Sequence, residues 1–136
     1  MDLEKPLPNP TPVSAPFWQG LEEERVQIQR CGNCGGWVFY PRSHCSHCLS
    51  ENLTWETISG EGTLYTFTVS RLPTSPHFAD EVPQLLAVVE LDEGVRLTTT
   101  LVNVAEDAIE IGMRVKPYFD HVCKDVTLLR YQPTVA

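Results

Sequence analysis

The sequence is short of lysine, of long apolar runs and of the motifs that mark a self-sufficient enzyme. Only three of its ten basic residues are Lys, against eighteen acidic residues, for a formal charge of −8. Binding nucleic acid through its phosphates requires clustered cations that displace counterions, so a general nucleic-acid binder is disfavoured. No window approaches the roughly 20 apolar residues of a membrane-spanning helix, and the opening residues lack the order of a secretion signal. There is no Gly-x-Ser-x-Gly, no Gly-rich phosphate loop and no Cys with an evident His partner. A nucleophile with its base and oxyanion site is therefore not spelled out, and no catalytic residue is assigned. At 136 residues, 42% of them hydrophobic, the chain suits one domain or two small ones sharing a core.

What the chain does have is cysteine placed in pairs. Cys31-Gly32-Asn33-Cys34 is followed by Cys45-Ser46-His47-Cys48. Two Cys-x-x-Cys pairs facing each other across a short hairpin offer four soft thiolates, the donor set that tetrahedral Zn²⁺ prefers. One pair would leave a redox or disulfide role open; two at this spacing favour the metal. Cys31, Cys34, Cys45 and Cys48 are thus the expected ligands of a structural Zn²⁺. His44 or His47 could each take a cysteine's place, but four cysteines are simpler and leave His47 to donate to a thiolate. Gly32, Gly35 and Gly36 supply freedom for the tight turns. So small a module buries little, and the metal must hold it. Reduced cysteines fit a cytoplasmic setting. Cys123 lies two residues from His121, on the same face if the segment is a strand, and is read as an ordinary thiol.

Taken in order, the chain opens with Pro6, Pro8, Pro10, Pro12 and Pro16, an extended arm over residues 1–16 that is either a tail or a strap across a partner. Residues 17–25 predict a short helix entered through Pro16, with Phe17, Trp18 and Leu21 on one face. So brief a helix must dock on its own domain or on another subunit. Residues 26–30, 37–40 and 53–58 read as the strands of the ribbon. From residue 63 the alternation predicts five strands, over 63–70, 85–91, 95–102, 114–119 and 126–131. Tyr65, Phe67 and Val69 are expected to share one face, as are Val95, Leu97, Thr99 and Leu101. With a turn or short helix between the third and fourth strands, this suits a mainly β chain ending in a five-stranded OB-fold barrel, a small open sandwich being the competitor. Residues 71–84 form a long connection whose three prolines and apolar anchors point to a partly ordered binding loop.

With those elements in place, the chain resembles a known family, the acyl-CoA-associated OB-fold proteins with a rubredoxin-like zinc ribbon, also called the domain of unknown function 35 family. The resemblance rests on Phe17-Trp18-x-Gly20-Leu21, Gln29-Arg30-Cys31-x-x-Cys34-Gly35 and Pro41-Arg42-x-x-Cys45-x-x-Cys48. It continues through Gly60-x-Gly62-Thr63-Leu64-Tyr65-Thr66-Phe67-Thr68-Val69, residues 88–97 and Ile111-Gly112-Met113-Arg114-Val115. It implies an arm over 1–16, a helix and zinc ribbon over 17–58 and an OB-fold over 59–136. It further implies an accessory subunit of a thiolase or a lipid-transfer-type thiolase-like aldolase, in a hetero-oligomer such as a heterotetramer around a dimer. The chemistry then belongs to the larger subunit, a CoA thioester is the substrate of the complex, and this chain docks and helps form the channel. The absence of a fused hydratase leans the reading towards a retro-aldolase acting on acyl-CoA thioesters such as steroid side-chain intermediates. Within it, Arg42, Arg71, Arg96 and Arg114 are candidate phosphate contacts. His77 and Phe78 are candidates for a channel or partner loop, and Phe17, Trp18 and Leu21 for partner docking. Ser43 and His44 vary freely in the motif and inherit no role. The alternatives are a nucleic-acid-binding ribbon and barrel, a bridge between a thiolase and an acyl-CoA synthase, and a stand-alone enzyme.

Overall fold

The computed structural model describes residues 6–134, so the first five residues of the arm lie outside the described residues. Helix α1 spans Ala15–Glu22, beginning two residues before Phe17, with Pro16 in its first turn. The start is set by Thr11 and Ser14, whose side chains and backbone N–H groups bond each other reciprocally at 2.9 and 3.2 Å. The arm between residues 6 and 10 has no regular structure.

The ribbon is a three-stranded antiparallel sheet in the order β2-β1-β3, from β1 (Val26–Cys31), β2 (Trp37–Val38) and β3 (Leu53–Ile58). β2 is two residues long where four were expected. Beyond Val38 the chain leaves β1, and the buried Gln29 side chain replaces the ladder: its Oε1 accepts from the Arg42 N–H and its Nε2 donates to the Arg42 carbonyl, both at 2.8 Å. A backbone segment that leaves a sheet must still pair its polar groups.

The second sheet holds the five predicted strands: β4 (Gly62–Ser70), β5 (Gln84–Leu91), β6 (Arg96–Thr100), β7 (Arg114–Cys123) and β8 (Val126–Pro133). Their order is β6-β5-β4-β7-β8. A parallel bridge between Leu101 and Tyr131 joins the two edges, making the OB barrel. Leu64, Val89, Leu91, Leu97, Val115 and Tyr131 fill it, each at most 3% exposed. Leu97, Thr99 and Leu101 share the inner face as expected. Tyr65 does not share a face with Phe67. Leu64 pairs with Val89 and Thr66 with Val88, so Tyr65 is the extra residue of a β-bulge and turns outward.

Ribbon and barrel meet through apolar packing. Phe39 and Ile58 of the ribbon lie against the barrel core, and the buried Tyr131 hydroxyl donates to the Gly60 carbonyl at 2.6 Å. Gly60 has φ of +75°, and a Cβ there would come within 2.6 Å of Pro117 and 2.8 Å of Val26. Only glycine lets the chain turn from one sheet into the other at that distance. Helix α1 packs on β1, β7 and β8, spanning the two parts. The long connection 71–83 is partly ordered around a 3-10 turn at Pro76–Glu81. No helix among the described residues is long and apolar enough to cross a membrane.

Candidate metal centre and the cleft beside it

The two Cys-x-x-Cys turns adopt the same geometry. In the first, the Cys31 N–H donates to the Gly36 carbonyl at 2.9 Å and the Gly35 N–H to the Cys31 carbonyl at 3.0 Å. In the second, the Cys45 N–H donates to the Ser50 carbonyl at 2.8 Å and the Leu49 N–H to the Cys45 carbonyl at 3.0 Å. The residue after each second cysteine is left-handed, Gly35 at φ +75° and Leu49 at φ +64°. Gly32 and Gly36 serve instead by close approach, since a Cβ would meet the Asn52 amide at 2.4 Å or the His47 ring at 2.9 Å.

These turns bring all four sulfurs within 4.8 Å of one another. Cys31 Sγ lies 3.5 Å from Cys48 Sγ, and Cys34 Sγ 3.6 Å from Cys45 Sγ. Zn–S bonds of about 2.3 Å in tetrahedral arrangement separate sulfurs by about 3.8 Å, so the donor set fits a zinc ion. Backbone N–H groups of Asn33 and Cys34 donate to Cys31 Sγ, both at 3.4 Å, and that of His47 to Cys45 Sγ at 3.3 Å. The Cys34 N–H is the main reason that the Cys31 thiol is lowered to about 6. At Cys48 the Ser50 N–H favours the thiolate, but neighbouring thiols and burial prevail and push it up to about 12. Without a cation, four sulfurs this close cannot all ionise. A zinc ion held by Cys31, Cys34, Cys45 and Cys48 would supply a cross-link, its four protein ligands leaving it a structural role. His47 contributes its backbone N–H and not its imidazole, whose Nε2 faces the Trp37 carbonyl at 3.4 Å. His44 lies 3.0 Å from Glu51.

Beside the ribbon, the barrel is open. Strands β6 and β8 bond only near Leu101, and by Thr99 Oγ1 donating to the Leu129 carbonyl at 3.0 Å. Towards Arg96 the seam widens into a cleft of about 480 Å³ between β6, β8, α1 and the Phe39–Pro41 segment, with Asn9 of the arm at its border. Its aromatic wall is a chain of ring contacts: Trp18 to Phe17 at 5.3 Å, Phe17 to Phe39 at 5.6 Å and Phe39 to Tyr40 at 4.4 Å. The Thr98 N–H, on the free edge of β6, donates to Tyr40 Oη at 3.1 Å.

The structure disperses the other candidate residues. Leu21 is 0% exposed and Phe17 8%, so of the three docking candidates Trp18 keeps most of the surface, with the edge of Phe17 beside it at the cleft. Arg71 pairs with Glu106, Arg96 with Glu90 at 2.9 Å while stacking over Tyr65, and Arg114 with Asp92 through two bonds of 2.7 and 2.9 Å. Arg114 draws the Asp92 carboxyl below its ordinary range. Arg42 is exposed and has no ion-pair partner among the described residues. His77 and Phe78 are half-buried in the 3-10 turn and do not line the cleft. Arg130, which sequence reasoning missed, does line it: 15% exposed, it bonds Asp120 at 2.8 Å and lies 3.8 Å from Glu81. Its place on β8 gave no sign that it would meet carboxylates from two other segments. The His121–Cys123 pairing does not form. A bulge at Val122 puts the two on opposite faces, and His121 contacts Thr127 at 2.8 Å and Glu24 at 3.3 Å.

Comparison with known proteins agrees with this architecture. Residues 18–54 match the family model described as the ChsH2 rubredoxin-like zinc ribbon domain, and residues 55–120 that of the ChsH2 C-terminal OB-fold domain. A probable enoyl-CoA hydratase alpha subunit of Thermomonospora curvata is 39% identical over 88% of this chain, which spans only 37% of that relative's length. A DUF35 domain-containing scaffold protein of Methanocaldococcus jannaschii is 32% identical over 79% of this chain and 77% of its own. Among solved structures, a chain of the Ltp2-ChsH2(DUF35) aldolase superposes with a TM-score of 0.83 at 35% identity, over 94% of this chain and 99% of that one. The paired knuckles, the bridged five-stranded barrel and these matches together show that the chain belongs to the DUF35 family, which joins a ChsH2-type zinc ribbon to an OB-fold.

Proposed function

We propose that this chain is an accessory subunit of an acyl-CoA-processing complex, without an active site of its own, that docks on a larger thiolase-like enzyme and forms part of its acyl-CoA channel. The observation that carries this is the near end-to-end likeness to a chain of the Ltp2-ChsH2(DUF35) aldolase. That name favours carbon–carbon cleavage of the retro-aldol type, on acyl-CoA thioesters such as steroid side-chain intermediates, over a bridge between a thiolase and a synthase. A heterotetramer around a dimer of the larger subunit, in the cytoplasm, completes the proposal. Zinc is structural in it.

The charges refine where a CoA thioester would lie. Three of the four candidate arginines are neutralised by carboxylates, leaving Arg42 as the phosphate contact beside the cleft. A surface whose arginines are mostly paired with carboxylates, on a chain of net charge −8, is poorly made for nucleic acid. Co-purification from the native host with a C-terminal tag tests the proposal. Recovery of a thiolase-like protein in near-equal amount is the expected result. Recovery of the chain alone, or with nucleic acid, would overturn it, as would turnover of acyl-CoA thioesters by the isolated, zinc-loaded chain.

A further inference from the structure

We propose that the cleft between ribbon and barrel binds the apolar end of a ligand that carries a neutral oxygen acceptor, such as a ketone, and that the Tyr40 hydroxyl is the donor to that oxygen. The cleft's volume of about 480 Å³ lies in the range of small-molecule sites, roughly 300–1,000 Å³. Trp18, Phe39, Leu97 and Leu129 line it with apolar surface. Tyr40 Oη already accepts from the Thr98 N–H, so one lone pair is committed while its hydrogen is not. Among the described residues no group accepts that hydrogen. The same bond pairs a donor on the free edge of β6 and fixes the phenol at the rim.

Arg130 decides the class of oxygen. Asp120 and Glu81 flank its guanidinium at 2.8 and 3.8 Å, so that wall offers no net positive charge. An anionic head, carboxylate or phosphate, would enter an apolar cleft without an unpaired cation, which is costly. A neutral carbonyl needs only a donor. Arg42, two residues after Tyr40, is exposed and does not line the cleft, which leaves the phosphates of a thioester outside while the apolar end enters. The inference rests on the acyl-CoA reading for the ligand's biological identity, and on the cleft alone for its chemistry.

The test is NMR on the zinc-loaded full chain, labelled with ¹⁵N. It is titrated with α-tetralone, a neutral two-ring ketone, with tetralin, the same rings without oxygen, and with the carboxylate of the same ring system. Shifts at the amides of residues 98–100 and 128–130 are expected, with the ketone bound about fivefold more tightly than tetralin, the worth of one neutral hydrogen bond. Tyr40→Phe should erase that difference while the zinc and the rest of the spectrum persist. Equal affinity of ketone and hydrocarbon for the wild-type chain overturns the donor role, and this comparison stands even if the variant fails to fold. Tighter binding of the carboxylate overturns the neutral class, and no shift at these amides overturns the site. Ketone binding with failed co-purification would sink the accessory-subunit reading alone.

Discussion

Ribbon and barrel are both built from β-strands, yet they are held by different forces. The barrel encloses a cluster of nine buried residues, with Leu64, Val89, Val115 and Tyr131 wholly inside. The ribbon's own cluster is Cys31, Val38 and Cys45, with Leu53 packed against it, so two of its three buried members are sulfur donors. Burying apolar surface stabilises the first in proportion to area. The second has little area to bury and depends on four thiolates sharing one cation. Helix α1 and Phe39 connect the two, and the cleft lies between them. This cleft therefore has one wall whose position depends on metal and one whose position depends on packing.

Removing the metal should therefore separate the two halves, and the effect should be the largest of any single change. Zinc binding contributes on the order of 10–16 kcal/mol in comparable modules. Chelation, or Cys45→Ser, is expected to unfold residues 26–58 and abolish the cleft while the amides of Leu64, Val89 and Val115 stay protected from hydrogen exchange. If barrel protection collapses along with the ribbon, the two are one cooperative unit and the contrast fails.

The converse perturbation acts on the barrel. Leu64→Ala should cost about 2–5 kcal/mol by opening a cavity in a fully buried site. Tyr131→Phe should cost about 1–3 kcal/mol, because it strands the buried Gly60 carbonyl. Denaturant unfolding measures both, and zinc content should stay at one ion per chain under native conditions. Loss of zinc in either variant would mean that the barrel also holds the ribbon in shape.

A smaller change compares the two knuckles with each other. Leu49 holds the left-handed conformation that Gly35 holds in the first knuckle, and its side chain is 75% exposed. Left-handed backbone costs an L-residue about 1–2 kcal/mol. Leu49→Gly should therefore stabilise the zinc-loaded chain by up to about 1 kcal/mol, after the greater entropy glycine loses on folding. A loss of stability would show that the exposed leucine makes a contact worth more than the strain it carries.

How far the sequence announced these features follows from the range of the interactions involved. The four cysteines were legible because metal ligation imposes a local spacing, and the five strands because alternation is local. Tyr65 departs from the face of Phe67 that alternation predicts, since a bulge depends on what the neighbouring strand does and leaves no trace in alternation. β2 stopped short because Gln29, a polar residue in an ordinary alternating strand, turned inward to bond Arg42. The arginines read as phosphate contacts are separated by 35, 6 and 22 residues from the carboxylates that neutralise Arg71, Arg96 and Arg114. Charge pairing at such separations is decided by the fold. The cleft was illegible for the same reason, because its lining comes from five segments, the arm, α1, Phe39–Pro41, β6 and β8, that meet only when α1 docks across the open seam.

The least effect is expected from the ion pair of Asp92 and Arg114, and it sharpens the contrast through its pH dependence. Arg114 lowers the Asp92 pKa in the folded chain, so the pair's contribution is complete above the unfolded carboxyl value, about 3.9, and fades as pH falls through the folded one. Both side chains are nearly half exposed, at 45% and 47%, where solvent and salt screen the attraction. Asp92→Asn should therefore lower stability at pH 7 by a small fraction of the Leu64→Ala loss, and by nothing at a pH below both values. The ribbon responds to acid differently, since its thiols must lose their protons to bind zinc and the thiolates are protonated again as the metal leaves. An acid titration read at ribbon and barrel amides should thus show the ribbon giving way in the wild-type chain and the Asp92→Asn chain at the same pH. A shift of the ribbon's transition in the variant would show that the barrel's surface charge reaches the metal centre, and the separation of forces argued here would not hold.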